Sequence, residues 1–99
     1  MKYYNIKISN EIVEDKELSC TAKWLYVVLA AEQNRTKEKE FLFTNEKLME
    51  VSGLSHNTLD KVRKELIEKN YIRKQRKSIF SEKHGIKSTT HYCFYTVVK

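Results

Sequence analysis

Gly53 and Ser55, with one residue between them, divide the middle of this 99-residue chain into two short helices. Upstream, Thr44 offers a side-chain oxygen to the free N–H groups of a helix start, and Leu48 and Val51 fall on one face of the helix that follows. Gly53 ends that helix, because glycine takes the left-handed backbone conformation at no steric cost. Ser55 then caps a second helix running from His56 to Lys69, and Asn70, which tolerates the same left-handed conformation, stops it. The segment from Thr44 to Asn70 is therefore a helix, a Gly-containing turn and a freshly capped helix.

The second of these helices has two unlike sides. At about 100° per residue, Leu59, Val62 and Leu66 cluster on one side and form the core face. Asn57, Lys61 and Lys64 lie opposite, with Asp60 and Glu68 beside them, and His56 sits on the flank of the first turn.

The flanking segments supply the rest of a small core. Tyr4, Ile6 and Ile8 alternate with Asn5 and Lys7, the period of a half-buried strand. The charged stretch Glu11 to Glu17 reads as a solvated loop. Ser19 caps a helix whose Ala22, Leu25, Tyr26 and Leu29 follow helical spacing, and Trp24, Val28 and Ala31 widen its apolar face, so it should be covered on two sides with Trp24 in the core. Asn34 to Glu40 reads as a loop and Phe41-Leu42-Phe43 as a short strand. Tyr71 to Lys77 and Thr89 to Val98 read as strands of a hairpin, joined by a long polar, basic loop over Ser78 to Ser88.

Charge is divided as sharply as structure. Residues 1–54 carry 8 Lys and Arg against 9 Asp and Glu, net −1, whereas residues 55–99 carry 11 against 4, net +7. An asymmetry of this size points to a polyanion partner on the second half, above all nucleic acid. The length suits one domain over 1–99. No apolar run approaches the length of a membrane span and the start lacks the apolar stretch of a signal peptide, so a cytoplasmic protein with no membrane contact is expected. Cys20 and Cys93 stand alone, without the spacing of a disulfide framework or a zinc site, and both are expected as reduced thiols, Cys20 as a small buried side chain. No cofactor is expected. No phosphate-binding glycine loop, metal-ligand spacing or nucleophile constellation is present, so an enzyme is not expected either.

The stretch Phe43 to Ile72, FTNEKLMEVSGLSHNTLDKVRKELIEKNYI, resembles the helix-turn-helix core of bacterial, phage and plasmid winged-helix proteins, and in particular the N-terminal domains of replication initiators and replisome organisers. Leu48, Gly53, Leu54, Ser55, Thr58, Leu59, Leu66 and Ile72 carry the likeness, and Leu18 to Tyr26 resembles the family's first helix. Asn70 departs from the glycine usual there, and Arg63 from the aliphatic residue of many winged-helix regulators. The resemblance implies an α+β fold, a winged helix-turn-helix of three helices with a small antiparallel sheet whose hairpin is the wing.

Double-stranded DNA is then the expected partner, in replication initiation of a plasmid, phage or mobile element, or in transcription regulation by a repressor of the same fold. A homodimer, or a replication or regulatory protein as a further partner, is compatible with the same architecture, as is a winged helix used only for protein contact. The recognition helix, 56–69, places His56, Asn57 and Lys61 for base edges, since Asn pairs with adenine and Lys donates to guanine. Lys64 lies beside them. Ser55 and Thr58 serve as cap residues and, compatibly, as phosphate contacts at the helix start. Asp60 either reads a cytosine amino group or aims a neighbouring lysine, and Arg63 either pairs with a carboxylate of another helix or meets a phosphate. In the wing, Arg73, Lys74, Arg76, Lys77, Lys83 and Lys87 face only Glu82 among acids and are expected on phosphates, with His84-Gly85-Ile86 at the tip.

Overall fold

The computed structural model describes the backbone of residues 8–83 and 85–98 and the side chains of 8–78 and 92–98. The elements run α1 (Asn10–Glu14), α2 (Cys20–Thr36), β1 (Phe41–Leu42), α3 (Asn45–Ser52), α4 (His56–Glu68), β2 (Ile72–Lys83) and β3 (Ile86–Val97). The short β1 between α2 and α3 joins the hairpin β2–β3 that follows the helices in a three-stranded antiparallel sheet of order β1-β3-β2, the α+β arrangement of a winged helix.

Local signals set the helix ends. Ser19, Thr44 and Ser55 each have extended backbone, and their side chains accept from Ala22, Lys47 and Thr58 N–H respectively. Gly53 closes α3 at φ 75° and Asn70 follows α4 at φ 63°. Tyr71 N–H donates back to the Leu66 carbonyl at 2.9 Å, satisfying an acceptor that the end of α4 would otherwise leave free.

α2 is the central post. Ala22, Leu25, Tyr26, Val28, Leu29, Ala30 and Ala31 are all buried, so the helix is wrapped on most of its circumference. Leu48 from α3, Leu59, Val62 and Leu66 from α4, and Phe41, Phe43, Tyr71, Ile72 and Tyr95 from the sheet side close one core around it. Trp24 departs from the expected core position. It is 40% exposed, and its Nε1 donates to the Ser52 carbonyl at 2.9 Å, so the ring lies over the end of α3 and satisfies one of its last acceptors.

Three further expectations are corrected. Glu11 to Glu17 is not simply a loop: Ser9 caps the short α1, which turns Ile12 into the core at 1% exposure while its acids stay in water. α2 runs to Thr36, past the expected start of the loop at Asn34, and Lys37 ends it in the left-handed conformation. Cys20 opens α2 as an exposed residue, and Cys93 is half-buried against the core. The expected strand over Tyr4 and Ile6 lies outside the described residues, and Ile8 is exposed.

The wing differs most. Its strands continue through the segment expected as loop, pairing from Ile72↔Val97 out to Lys83↔Ile86, with Gly85 at φ 76° in the connection. A left-handed glycine is favoured in such short connections because it suits the right-handed twist of paired strands. β1 reaches only the base, pairing Phe41↔Tyr95 and Leu42↔Phe94, so the hairpin beyond Cys93 is a two-stranded ribbon.

Candidate nucleic-acid interface

α4 is held by its buried side. Leu59, Val62 and Leu66 are at most 3% exposed, and this fixes which residues face water: His56, Asn57, Asp60, Lys61 and Lys64 are all exposed. Ser55 accepts from Thr58 N–H at 3.4 Å and donates its hydroxyl to Thr58 Oγ1 at 3.0 Å, so both hydroxyls are engaged in the cap. The opposite end is bound as well. Glu65 reaches the start of α2, accepting from Ser19 N–H and Ser19 Oγ, both at 2.9 Å.

Arg63 is the outlier on this helix. Its guanidinium is buried and donates to Asn45 Oδ1 at 2.7 Å, to the Tyr95 hydroxyl at 3.0 Å and to Asp60. The expected carboxylate partner on another helix is replaced by Asp60 of the same helix, one turn earlier, and burial leaves no room for a phosphate. Burial also pushes the Tyr95 pKa up, against the lowering effect of the Arg63 charge, which keeps the hydroxyl protonated. Asp60 completes the line: its second oxygen lies 3.6 Å from His56 Nδ1, close but too far for a hydrogen bond. Sequence reading singled out Asp60 and Arg63 but missed Asn45 and Tyr95, whose role depends on α3 and β3 meeting α4.

Strand register sorts the basic residues of β2. Residues opposite one another share a face, so Lys74 and Arg76 lie with Tyr95 and Cys93 on the side that packs toward the helices. Arg73, Gln75 and Lys77 lie with Thr96, Phe94 and Tyr92 on the other side. All four cations are exposed along an edge strand. Lys77 is nevertheless engaged, paired with Glu40 and with its Nζ 5.1 Å from the centre of the Phe94 ring. Arg73, Lys74 and Arg76, like Lys61 and Lys64 on α4, have no ion pair among the described residues. Lys83 and Lys87 belong to the outer ribbon, where Lys87 pairs opposite Glu82; their side chains and His84 lie outside the described residues.

A second polar cluster fixes the junction between α4 and the wing. Lys69 Nζ bonds Asp15 at 3.0 Å and Glu17 at 3.2 Å, and the Tyr71 hydroxyl donates to Asp15 Oδ2 at 2.8 Å. The Tyr71 hydroxyl, then Lys69, hold the Asp15 carboxyl down at about 2. Desolvation, then the Asp15 contact, pushes Tyr71 up to about 12. Lys69, the C-cap of α4, is thereby committed to contacts within the molecule.

No helix among the described residues is long and apolar enough to cross a membrane. The sequence profile of the helix-turn-helix domain family matches residues 16–72, from the turn before α2 to the first residue of β2. Comparisons with the curated proteins and with the solved structures return no match.

Proposed function

The chain belongs to the helix-turn-helix domain family, and from that membership we propose that it binds double-stranded DNA sequence-specifically, as a single domain over residues 1–99. One observation carries the reading: α4 begins at a satisfied cap and turns His56, Asn57, Lys61 and Lys64 to solvent, beside a basic edge strand. Asn and Lys are suited to the donor and acceptor pattern of the major groove, and His56 and Asn57 stand in the first turn, the part of a recognition helix nearest the bases. Ser55 and Thr58 keep their backbone and hydroxyl groups close to the phosphate that a helix start attracts. Arg73, Lys74 and Arg76, together with Lys83 and Lys87, supply sequence-independent grip.

Titration of the protein against random-sequence duplex DNA at several salt concentrations tests this. Affinity should fall steeply as salt rises, because each phosphate contact releases condensed counterions. No binding at low salt would overturn the reading in favour of a winged helix that contacts protein.

The finer role we propose is initiation of replication on a plasmid, phage or other mobile element. Its support is the resemblance over residues 43–72 to replication initiators and replisome organisers. Mapping the bound site tests it: repeated sites within an origin are expected, and one palindrome over a promoter would identify a repressor instead.

A further inference from the structure

Five side chains form a chain of contacts from β3 and α3 to the first turn of α4. The Tyr95 hydroxyl on β3 and Asn45 Oδ1 at the start of α3 both accept from Arg63 Nη1, and Arg63 Nη2 holds Asp60 Oδ1. Asp60 Oδ2 then lies 3.6 Å from His56 Nδ1. Exposure rises along the line: the Arg63 side chain is 8% accessible, Asp60 49% and His56 61%. We propose that Arg63 and Asp60 are positioning residues that hold the His56 imidazole in one orientation for reading DNA; the use made of that orientation rests on the duplex-binding reading above.

The physical case has three parts. A carboxylate on the solvent-facing side of a DNA-reading helix repels phosphate, and a free one would turn to whichever cation lay nearest, Lys61 or Lys64 included. Arg63 removes that freedom by taking one oxygen, and the fork of its guanidinium is itself fixed by acceptors on two other elements. The remaining oxygen faces the Nδ1 edge of His56, which leaves Nε2 as the edge directed away from Asp60. The orientation of an exposed ring is thus referenced to α3, α4 and β3 together, and the wing and the recognition helix are registered to each other through the same guanidinium.

The test uses the full chain and three conservative variants. Asp60→Asn removes the charge with little change of shape, Tyr95→Phe removes only a hydroxyl, and Arg63→Lys keeps the charge but loses the fork. His56 ring signals are followed by NMR in the free protein. Affinity is measured for a duplex selected from a random pool and for a random-sequence duplex, in each variant with and without His56→Ala. All three variants should move the His56 ring signals and cut the preference for the selected duplex about tenfold, the scale of one base contact. None should weaken random-duplex binding, and none should lower the preference further once His56→Ala is present. Unmoved ring signals, or losses that add in full to that of His56→Ala, would overturn the proposal. Ring signals that move in a chain that binds no duplex at low salt would leave the positioning in place and overturn the duplex reading instead.

Discussion

Arg76 and Lys77 are neighbours in β2 with the same formal charge, yet the structure gives them unequal weight in any contact with a polyanion. Arg76 lies on the face that carries Tyr95 and packs toward α4, without an ion pair among the described residues. Lys77 lies on the opposite face, tied to Glu40 and the Phe94 ring. Each phosphate neutralised contributes about −0.9 to the slope of log K against log salt, which over a roughly fourfold rise in salt is about a 3.5-fold loss of affinity. Were Lys61, Lys64, Arg73, Lys74 and Arg76 each to meet one phosphate, the slope would be about −4.5 and the loss over that range about 500-fold. Arg76→Ala should therefore flatten the slope by about 0.9, whereas Lys77→Ala should change it by much less, because the Lys77–Glu40 pair leaves as a nearly neutral unit. Fluorescence anisotropy with a labelled random-sequence duplex at stepped salt concentrations measures both slopes. Equal slope changes would refute the assignment of the two faces, and a larger change in Lys77→Ala would place DNA on the Phe94 side of the hairpin.

Three other outcomes follow from single contacts. Ser55→Ala removes the acceptor of Thr58 N–H and should cost about 1 kcal/mol in urea unfolding, with α4 fraying at its first turn. Gly53→Ala meets no atom within 4 Å of the added Cβ, so only left-handed strain opposes it; a loss of about 1 kcal/mol is expected, and a much larger loss would reveal crowding in the turn. Asp15 has its pKa lowered from 3.8 to about 2, so folding favours its ionised form. The stability it contributes is full above 3.8 and is lost as pH falls through about 2. Acid unfolding curves of wild type and Asp15→Asn should accordingly converge across that window, and a constant gap between them would contradict the ionised contact with Tyr71 and Lys69.

Signals that act within a few residues were legible in the sequence. Thr44, Gly53, Ser55 and Asn70 each do locally what their chemistry favours, and the periodic Leu59, Val62 and Leu66 found the core as a stripe must. What escaped depends on partners far along the chain. Ile12 is buried only because α1 has a core to dock on, so its acidic surroundings hid it. Trp24 looks like core by spacing, but the end of α3 lies where its ring emerges, and a half-exposed indole satisfies the Ser52 carbonyl there. The outer strands of the wing hid for another reason: they are defined by pairing with each other beyond the reach of β1, and Ser78 to Ser88 carries no clean strand period to announce it.

The same distinction decides how specificity and grip are divided. Counting charges places grip in the wing and specificity in the helix, since α4 with Lys69 has four basic residues against three acids. The structure withdraws part of each sum. Arg63 is spent on Asp60, Asn45 and Tyr95, and Lys69 on Asp15 and Glu17, so the basic residues of α4 left to solvent are Lys61 and Lys64. On the wing, Lys77 is engaged by Glu40. A helix with two available cations binds weakly by charge alone, and whatever preference it has must come from the shape and donor pattern of its first turn. Wing cations near the edge strand would then hold the duplex against that turn, and Arg63, which touches both the helix and β3, is the group through which a shift of one would be felt by the other.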